Sequence, residues 1–358
     1  MEGVNGLRMH VLEAGDPADP CILLLHGFPE LAFSWRAVMP ALAAAGYHVV
    51  APDQRGFGRT TGWDDRYDGD LASFRQMNLV TDVVALLSAI RIERVAAVVG
   101  HDFGSPVAAW SALIRPDIFE AVVLMSAPFA GPPLVAARPS PAVGLDKALA
   151  ALDPPRRHYQ HFYATPGANA DMLGAPQGLP AFLRAYFHVK SGDFAGNAPF
   201  PLGAPTPEAF AKLPTYYVMS REEGMAGTVA ATAPSPAEVD RCRWLPEEDL
   251  AFYAAEFART GFQGGLNWYR ANADPALRLF SGRTIDIPAT FIAGDHDWGV
   301  YQSPGAYEAM AARACTRFTP LELVPGAGHW VQQEAPGAVS ARILGFLRDS
   351  HGGLAPKS

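Results

Sequence analysis

The sequence predicts an α/β fold, a mostly parallel sheet flanked by helices and interrupted by a long, mainly helical insertion. Three observations carry this. Short apolar runs alternate with segments of helical period. The texture changes after Pro128 and reverts near Ala289. The apolar run 95–99 passes into Gly100-His101-Asp102-Phe103-Gly104 and then a small-residue stretch, the pattern of a strand, a sharp turn and a helix.

The elements follow in order. A short alternating stretch over 6–14 reads as an antiparallel edge, and the β-branched or aliphatic runs 21–25, 47–51, 95–99 and 121–125 read as buried strands. Between them, helical patterns are expected at 31–45, 79–90 and 105–113; in the second, Leu79, Val80, Val83, Val84, Leu87 and Ile90 recur at helical spacing. Strand, helix and strand in alternation imply a parallel sheet. Pro132-Pro133 and Pro139-Ser140-Pro141 then open a stretch rich in aromatic helical segments and Pro/Gly loops. The series resumes with a strand at 289–293, a helix at 306–314, a strand at 321–324 and a last helix at 338–347. The expected organisation is therefore a core of residues 1–128 and 284–358 carrying an inserted helical cap of residues 129–283. Residues 191–239 are its least readable part, and the Gly/Ala/Pro-rich tail after Ser350 is expected to fray.

Ligands meet open α/β sheets at the carboxyl ends of the strands, so the residues after each strand carry the chemistry. The turn Gly-x-Asp-x-Gly puts Asp102 at its tip, where a strained backbone and close helix packing favour flanking glycines. A carboxylate there can attack a saturated carbon and form an alkyl ester on the enzyme. After the first buried strand comes His26-Gly27-Phe28-Pro29-Glu30, whose backbone N–H at Phe28 pairs with that of Phe103 as an oxyanion hole. Gly294-Asp295-His296-Asp297 and Gly326-Ala327-Gly328-His329-Trp330 follow later strands, giving the order nucleophile, acid, histidine. Gly-x-x-Asp spacing favours Asp297 over Asp295 as the acid. His26, His101, His158, His161 and His188 read as structural or pocket-lining.

These loops and their order resemble the α/β-hydrolase superfamily, and the Asp nucleophile narrows the likeness to its epoxide hydrolase and haloalkane dehalogenase branches. The insertion favours the first. Its run Glu247-Glu248-Asp249-Leu250-Ala251-Phe252-Tyr253, continuing to Leu266-Asn267-Trp268-Tyr269-Arg270, is similar to the cap helices of soluble epoxide hydrolases. The resemblance implies that Tyr253 donates to the epoxide oxygen, and that Tyr159, in His158-Tyr159-Gln160-His161-Phe162-Tyr163, is the second such donor. It further implies attack by Asp102, ester hydrolysis by water activated by His329 and oriented by Asp297, and a pocket lined by Trp330, Gln160 and Tyr163. An apolar epoxide and water are the implied substrates, a vicinal diol the product, and no cofactor is required. Phe103 departs from the tryptophan that many members carry after the nucleophile, and it lacks the indole N–H with which haloalkane dehalogenases hold halide. A dehalogenase with the same Asp102 is the alternative, and a non-catalytic ligand receptor on this fold is a third.

Composition narrows the rest. The chain has 358 residues, 49% of them hydrophobic and 18% charged, as in ordinary globular proteins. A net charge of −8 disfavours nucleic acid and anionic membranes as partners; a homodimer is compatible with it. Met1-Glu2-Gly3-Val4-Asn5-Gly6 lacks the basic and apolar regions of a signal peptide, so a cytoplasmic location is expected. Cys21, Cys242 and Cys315 are widely spaced, without Cys-x-x-Cys or His-Glu-x-x-His, so buried thiols are expected and no metal site.

Overall fold

A computed structural model describes residues 1–134 and 142–350. Pro139-Ser140-Pro141 and the tail after Ser350 lie outside the described residues. Seven strands form the main sheet: β1 (Val11–Ala14), β2 (Cys21–Leu25), β3 (His48–Pro52), β4 (Val95–His101), β5 (Val122–Met125), and, after a second sheet made by β6 (Arg156–His158) and β7 (Val218–Ser220), β8 (Ala289–Ile292) and β9 (Phe318–Thr319). Their order is β1-β3-β2-β4-β5-β8-β9. Only the edge pair β1 and β3 is antiparallel within it.

Every residue of β2, β3, β4, β5 and β8 is buried, which explains why these strands read as unbroken apolar runs: helices cover both faces of a parallel sheet. The pleat still sorts the side chains. Ile22, Leu24 and Val99 pack with Leu42, Ile343 and Phe346 on one face, while Leu23, Leu25 and Val98 pack with Leu79, Val83, Val107 and Trp110 on the other.

Prolines account for the differences from expectation. The helix expected over 31–45 is a 3-10 turn, Ala32–Trp35, followed by a separate helix, Met39–Ala44, because Pro40 sits in a first turn, where its missing N–H costs nothing. The strand expected over 321–324 is displaced to Phe318–Thr319, and Val324 keeps only an isolated bridge to Gly294; Pro320 has no N–H to continue the ladder. The edge shrinks to Val11–Ala14 because Val4 and Leu7 close a tight bridge of their own. Cys21 and Cys315 are buried as expected, whereas Cys242, just past the helix Pro236–Arg241, is half-buried. Among the described residues no helix is long and apolar enough to cross a membrane.

Between β5 and β8 the chain forms mostly helices, of which Tyr159–Tyr163, Leu179–Lys190, Glu247–Thr260 and Gln263–Arg270 matter most for the site. The small β6–β7 ribbon, antiparallel and three residues long per strand, was not legible as strands. This helical layer is tied to the sheet layer by Arg36 to Asp249 (2.8 Å), Arg59 to Glu256 (2.9 Å) and the Trp268 indole N–H to the Arg55 carbonyl (2.8 Å). At Gly264 the two backbones nearly touch: a Cβ there would lie 2.0 Å from the Gly56 carbonyl oxygen. Gly264→Ala should therefore destabilise by about 1–3 kcal/mol through overpacking. Gly337→Ala, whose Cβ would meet nothing within 4 Å, should be neutral or stabilise by up to about 1 kcal/mol in its helix; urea midpoints compare the two.

Candidate active site

Asp102 follows β4 at the tip of the turn into the helix Gly104–Ile114, with φ +50°, a left-handed conformation costly for a side chain with a Cβ. The turn is held by Asp102 N–H to the Met125 carbonyl (3.1 Å) and Ser105 N–H to the Asp102 carbonyl (3.0 Å). Gly104 permits it, since a Cβ there would lie 2.3 Å from the Leu25 carbonyl oxygen. The carboxylate accepts the Phe28 N–H at Oδ1 (2.9 Å). The Phe103 N–H makes no hydrogen bond among the described residues.

His329 lies between two carboxylates. Its Nε2 is 3.3 Å from Asp102 Oδ2 and its Nδ1 is 3.0 Å from Asp297 Oδ1. Asp297 also accepts the Gly299 N–H (2.7 Å), which orients it. Asp295 instead faces outward, bound to His296 and to the Gly326 N–H. Burial opposes ionisation of Asp102, yet the close contact and charge of His329, with Lys190 and His101 behind, hold its carboxyl well below the ordinary range. Burial and then Lys190 work against protonation of His329, but Asp297 and Asp102 outweigh them and its basicity is raised.

Two buried tyrosines of the helical layer feel the charge of this carboxylate, and one of them is not the one expected. Tyr159 opens the helix Tyr159–Tyr163, and its hydroxyl meets Gln160 Nε2 (3.1 Å) and Gln302 Oε1 (3.3 Å). Burial and then the charge of Asp102 push this phenol up, so it keeps its proton. Tyr253, expected as its partner, points elsewhere: its hydroxyl donates to Gln333 Oε1 (3.3 Å), and besides burial it feels Glu30, Arg36 and Asp249. Tyr269 takes the place beside the site. Its ring packs edge-on against Phe103 at 4.4 Å and lies 5.9 Å from that of Tyr159, and after burial and Tyr159, Asp102 is among the charges that raise its phenol. A signal for Tyr269 was present in Gly264-Gly265, because a glycine pair lets its helix sit directly on the loops of Gly56 and Phe28.

The other expected lining residues gather nearby. Tyr163 shares a hydrogen bond with Tyr186 (2.9 Å), and both hydroxyls sense Asp102. Trp330 packs its ring 4.7 Å from His329 and spends its indole N–H on the Phe187 carbonyl (2.8 Å). Gln160 and Gln302 also line an open groove of about 920 Å³ between the helical layer and the loop of Pro304.

Sequence reasoning missed a polar support beneath the nucleophile. The His101 ring nitrogens lie 2.7 Å from Glu30 Oε2 and 2.7 Å from the His329 carbonyl oxygen, so this residue joins the first strand loop to the histidine loop. Gln332 and Gln333 donate to the other Glu30 oxygen at 2.8 and 2.9 Å. Burial would neutralise Glu30, but His101 holds its carboxyl below the ordinary range. A depressed acid contributes stability above the unfolded pKa, and loses it as pH falls through the folded value. Removing Glu30 as Glu30→Gln should cost about 3–5 kcal/mol at pH 7, as for other broken buried pairs. The cost should shrink as pH drops below 4.5, the ordinary glutamate value, and thermal midpoints of both proteins from pH 7 to 3 check it.

Comparison with known proteins shows the family. A family model described as alpha/beta hydrolase fold matches residues 20–336. Epoxide hydrolase A of Mycobacterium tuberculosis is 36% identical over 96% of this chain and 95% of its own, and the epoxide hydrolase of Caballeronia sordidicola is 34% identical over 96% and 92%. Among solved structures, an epoxide hydrolase from an endophytic Streptomyces superposes with a TM-score of 0.77 at 32% identity, covering 96% of this chain and 93% of that one. Potato epoxide hydrolase I gives 0.73 at 32% identity, covering 98% of both. On this evidence, of sequence along nearly the whole chain and of architecture, the protein belongs to the epoxide hydrolases of the alpha/beta hydrolase fold.

Proposed function

We propose that this chain opens an apolar epoxide to a vicinal diol through an alkyl ester on Asp102, with residues 129–283 acting as a cap domain over a core of residues 1–128 and 284–358. The observation that carries the reading is a carboxylate at the turn tip, 3.3 Å from an imidazole and below two buried phenols that feel its charge. In the first step Asp102 attacks an epoxide carbon, the ring C–O bond breaks, and the oxygen takes a proton through Tyr159 and Tyr269, which regain it from solvent. An alkoxide is a poor leaving group, so phenols that stay protonated are what this step requires.

In the second step His329 Nε2 takes a proton from water, whose oxygen bonds to the Asp102 carboxyl carbon. The N–H groups of Phe28 and Phe103 face the oxyanion; the acyl–oxygen bond then breaks and the imidazolium returns its proton to the departing diol oxygen. Asp102 is left as an acid and releases its proton, which balances the one taken up in the first step. Asp297 holds the imidazole by Nδ1 throughout. Apolar substrates suit a site roofed by Tyr163, Phe262 and Tyr269 around Phe28. Halide release fits less well, because the Phe103 side chain carries no N–H and the indoles of Trp268 and Trp330 are committed to carbonyls.

Mass spectrometry of His329→Gln mixed with styrene oxide should show one adduct on the Asp102 peptide, absent from Asp102→Asn; an unmodified protein across a panel of epoxides would overturn the reading. Since general acid catalysis is worth roughly 10²–10⁴ in rate, Tyr159→Phe and Tyr269→Phe should each slow ester formation by about 10- to 100-fold. Tyr253→Phe should leave ester formation close to wild type, and single-turnover quench measurements separate the three.

A further inference from the structure

Lys190 is the last residue of the helix Leu179–Lys190, yet it is only 5% exposed. Its ammonium lies over the rings of Trp330, Tyr217 and Tyr186, at 5.2, 5.3 and 5.6 Å. No hydrogen bond or ion pair reaches this ammonium among the described residues. A buried, unpaired ammonium is expensive, and a methionine or leucine would fill the same aromatic box without that penalty. The charge therefore needs a reason.

Its backbone supplies the position. The Lys190 carbonyl accepts the His329 N–H at 2.8 Å, so the helix end is pinned to the histidine loop, and the ammonium lies over the Trp330 ring, which itself packs 4.7 Å from the imidazole. Burial weakens the basicity of Lys190, while Asp102, Asp297 and Glu30 act in the opposite direction. Facing His329 are Asp102 and Asp297 from the sheet layer, Lys190 from the helical layer, and the His101 ring at 5.0 Å with Glu30 behind it. Lys190 is the cation among them that the proposed reaction leaves without a use.

The charge balance around the imidazole changes during the cycle. In the free protein two carboxylates favour its protonated form against one ammonium. Once Asp102 is esterified, its charge is gone and Asp297 alone opposes Lys190. We propose that Lys190 is the charge that holds His329 in its neutral form in the ester-bound state, so that Nε2 can accept the proton of the attacking water. This rests on the covalent reading above. Lys190 touches no reacting atom in this scheme; it is a positioning residue that acts through His329.

The test is the pH dependence of ester decay, measured after rapid mixing of excess enzyme with styrene oxide from pH 5 to 9. In wild type the decay rate rises with pH as His329 loses its proton. Lys190→Met should move that rise upward by on the order of one pH unit, so that at the wild-type midpoint the ester persists about fivefold longer. Lys190→Arg, which keeps the charge, should leave the rise near its wild-type position. An unmoved rise in the methionine variant that still forms ester overturns the proposal, and so does a rise displaced in the arginine variant as far as in the methionine one. If the methionine variant fails to fold, Lys190→Gln, which removes the same charge, is measured in its place and read by the same criterion. Absence of any ester in wild type would instead overturn the covalent reading, which separates the two failures.

Discussion

Everything in this structure is arranged around a row of ionisable groups, Asp102, His329 and Asp297, placed where water is scarce. Charges in such a place are costly unless each is paired and oriented. The imidazole meets a carboxylate at each nitrogen, the Phe28 N–H caps one end of the row and the Gly299 N–H the other. Glu30 and His101 carry the same logic one layer down, joining the loops after β2 and β9 to the end of β4 in a single polar seam. The surrounding sheet and helices supply the rigidity that keeps these partners within reach.

The backbone accepts strain to present that row. Asp102 adopts φ +50° and Ser126, just after β5, φ +62°. Each is held by neighbours that leave no alternative: the strand ladder on one side, a helix packed against glycine on the other. Strain stored where a reactive group must project is a common price of preorganised sites. Here it aims the carboxylate out of the sheet toward the aromatic layer above it.

The helical layer contributes chemistry as well as cover. Tyr159 and Tyr269 come from different helices and meet only because Gly264 lets one of them settle onto Gly56. Lys190 reaches the histidine from a third helix, and Glu334 stitches that helix end to the histidine loop by accepting the N–H groups of Gly192, Gly328 and Trp330. Burial pushes the Glu334 acid up to about 7 against those three donors. An ionisable group that both layers share is thus part of how they are held together.

What the sequence by itself determined is local. Buried parallel strands announce themselves as apolar runs, and the Gly-x-Asp-x-Gly turn and the Gly-x-x-Asp spacing mark their residues because backbone sterics and loop reach act over a few positions. Tertiary structure decided the rest. Tyr253 and Tyr269 are both buried tyrosines of the helical layer, and only packing shows that one faces Gln333 and the other the nucleophile's loop. The Glu30–His101 pair spans 71 positions, and Lys190 meets the rings of Tyr217 and Trp330 from distant parts of the chain. Such partnerships leave no periodic trace, since they depend on the path of the whole chain; proline at positions 40 and 320 shifted the helix and the strand for the opposite reason, a missing N–H whose effect is settled on the spot.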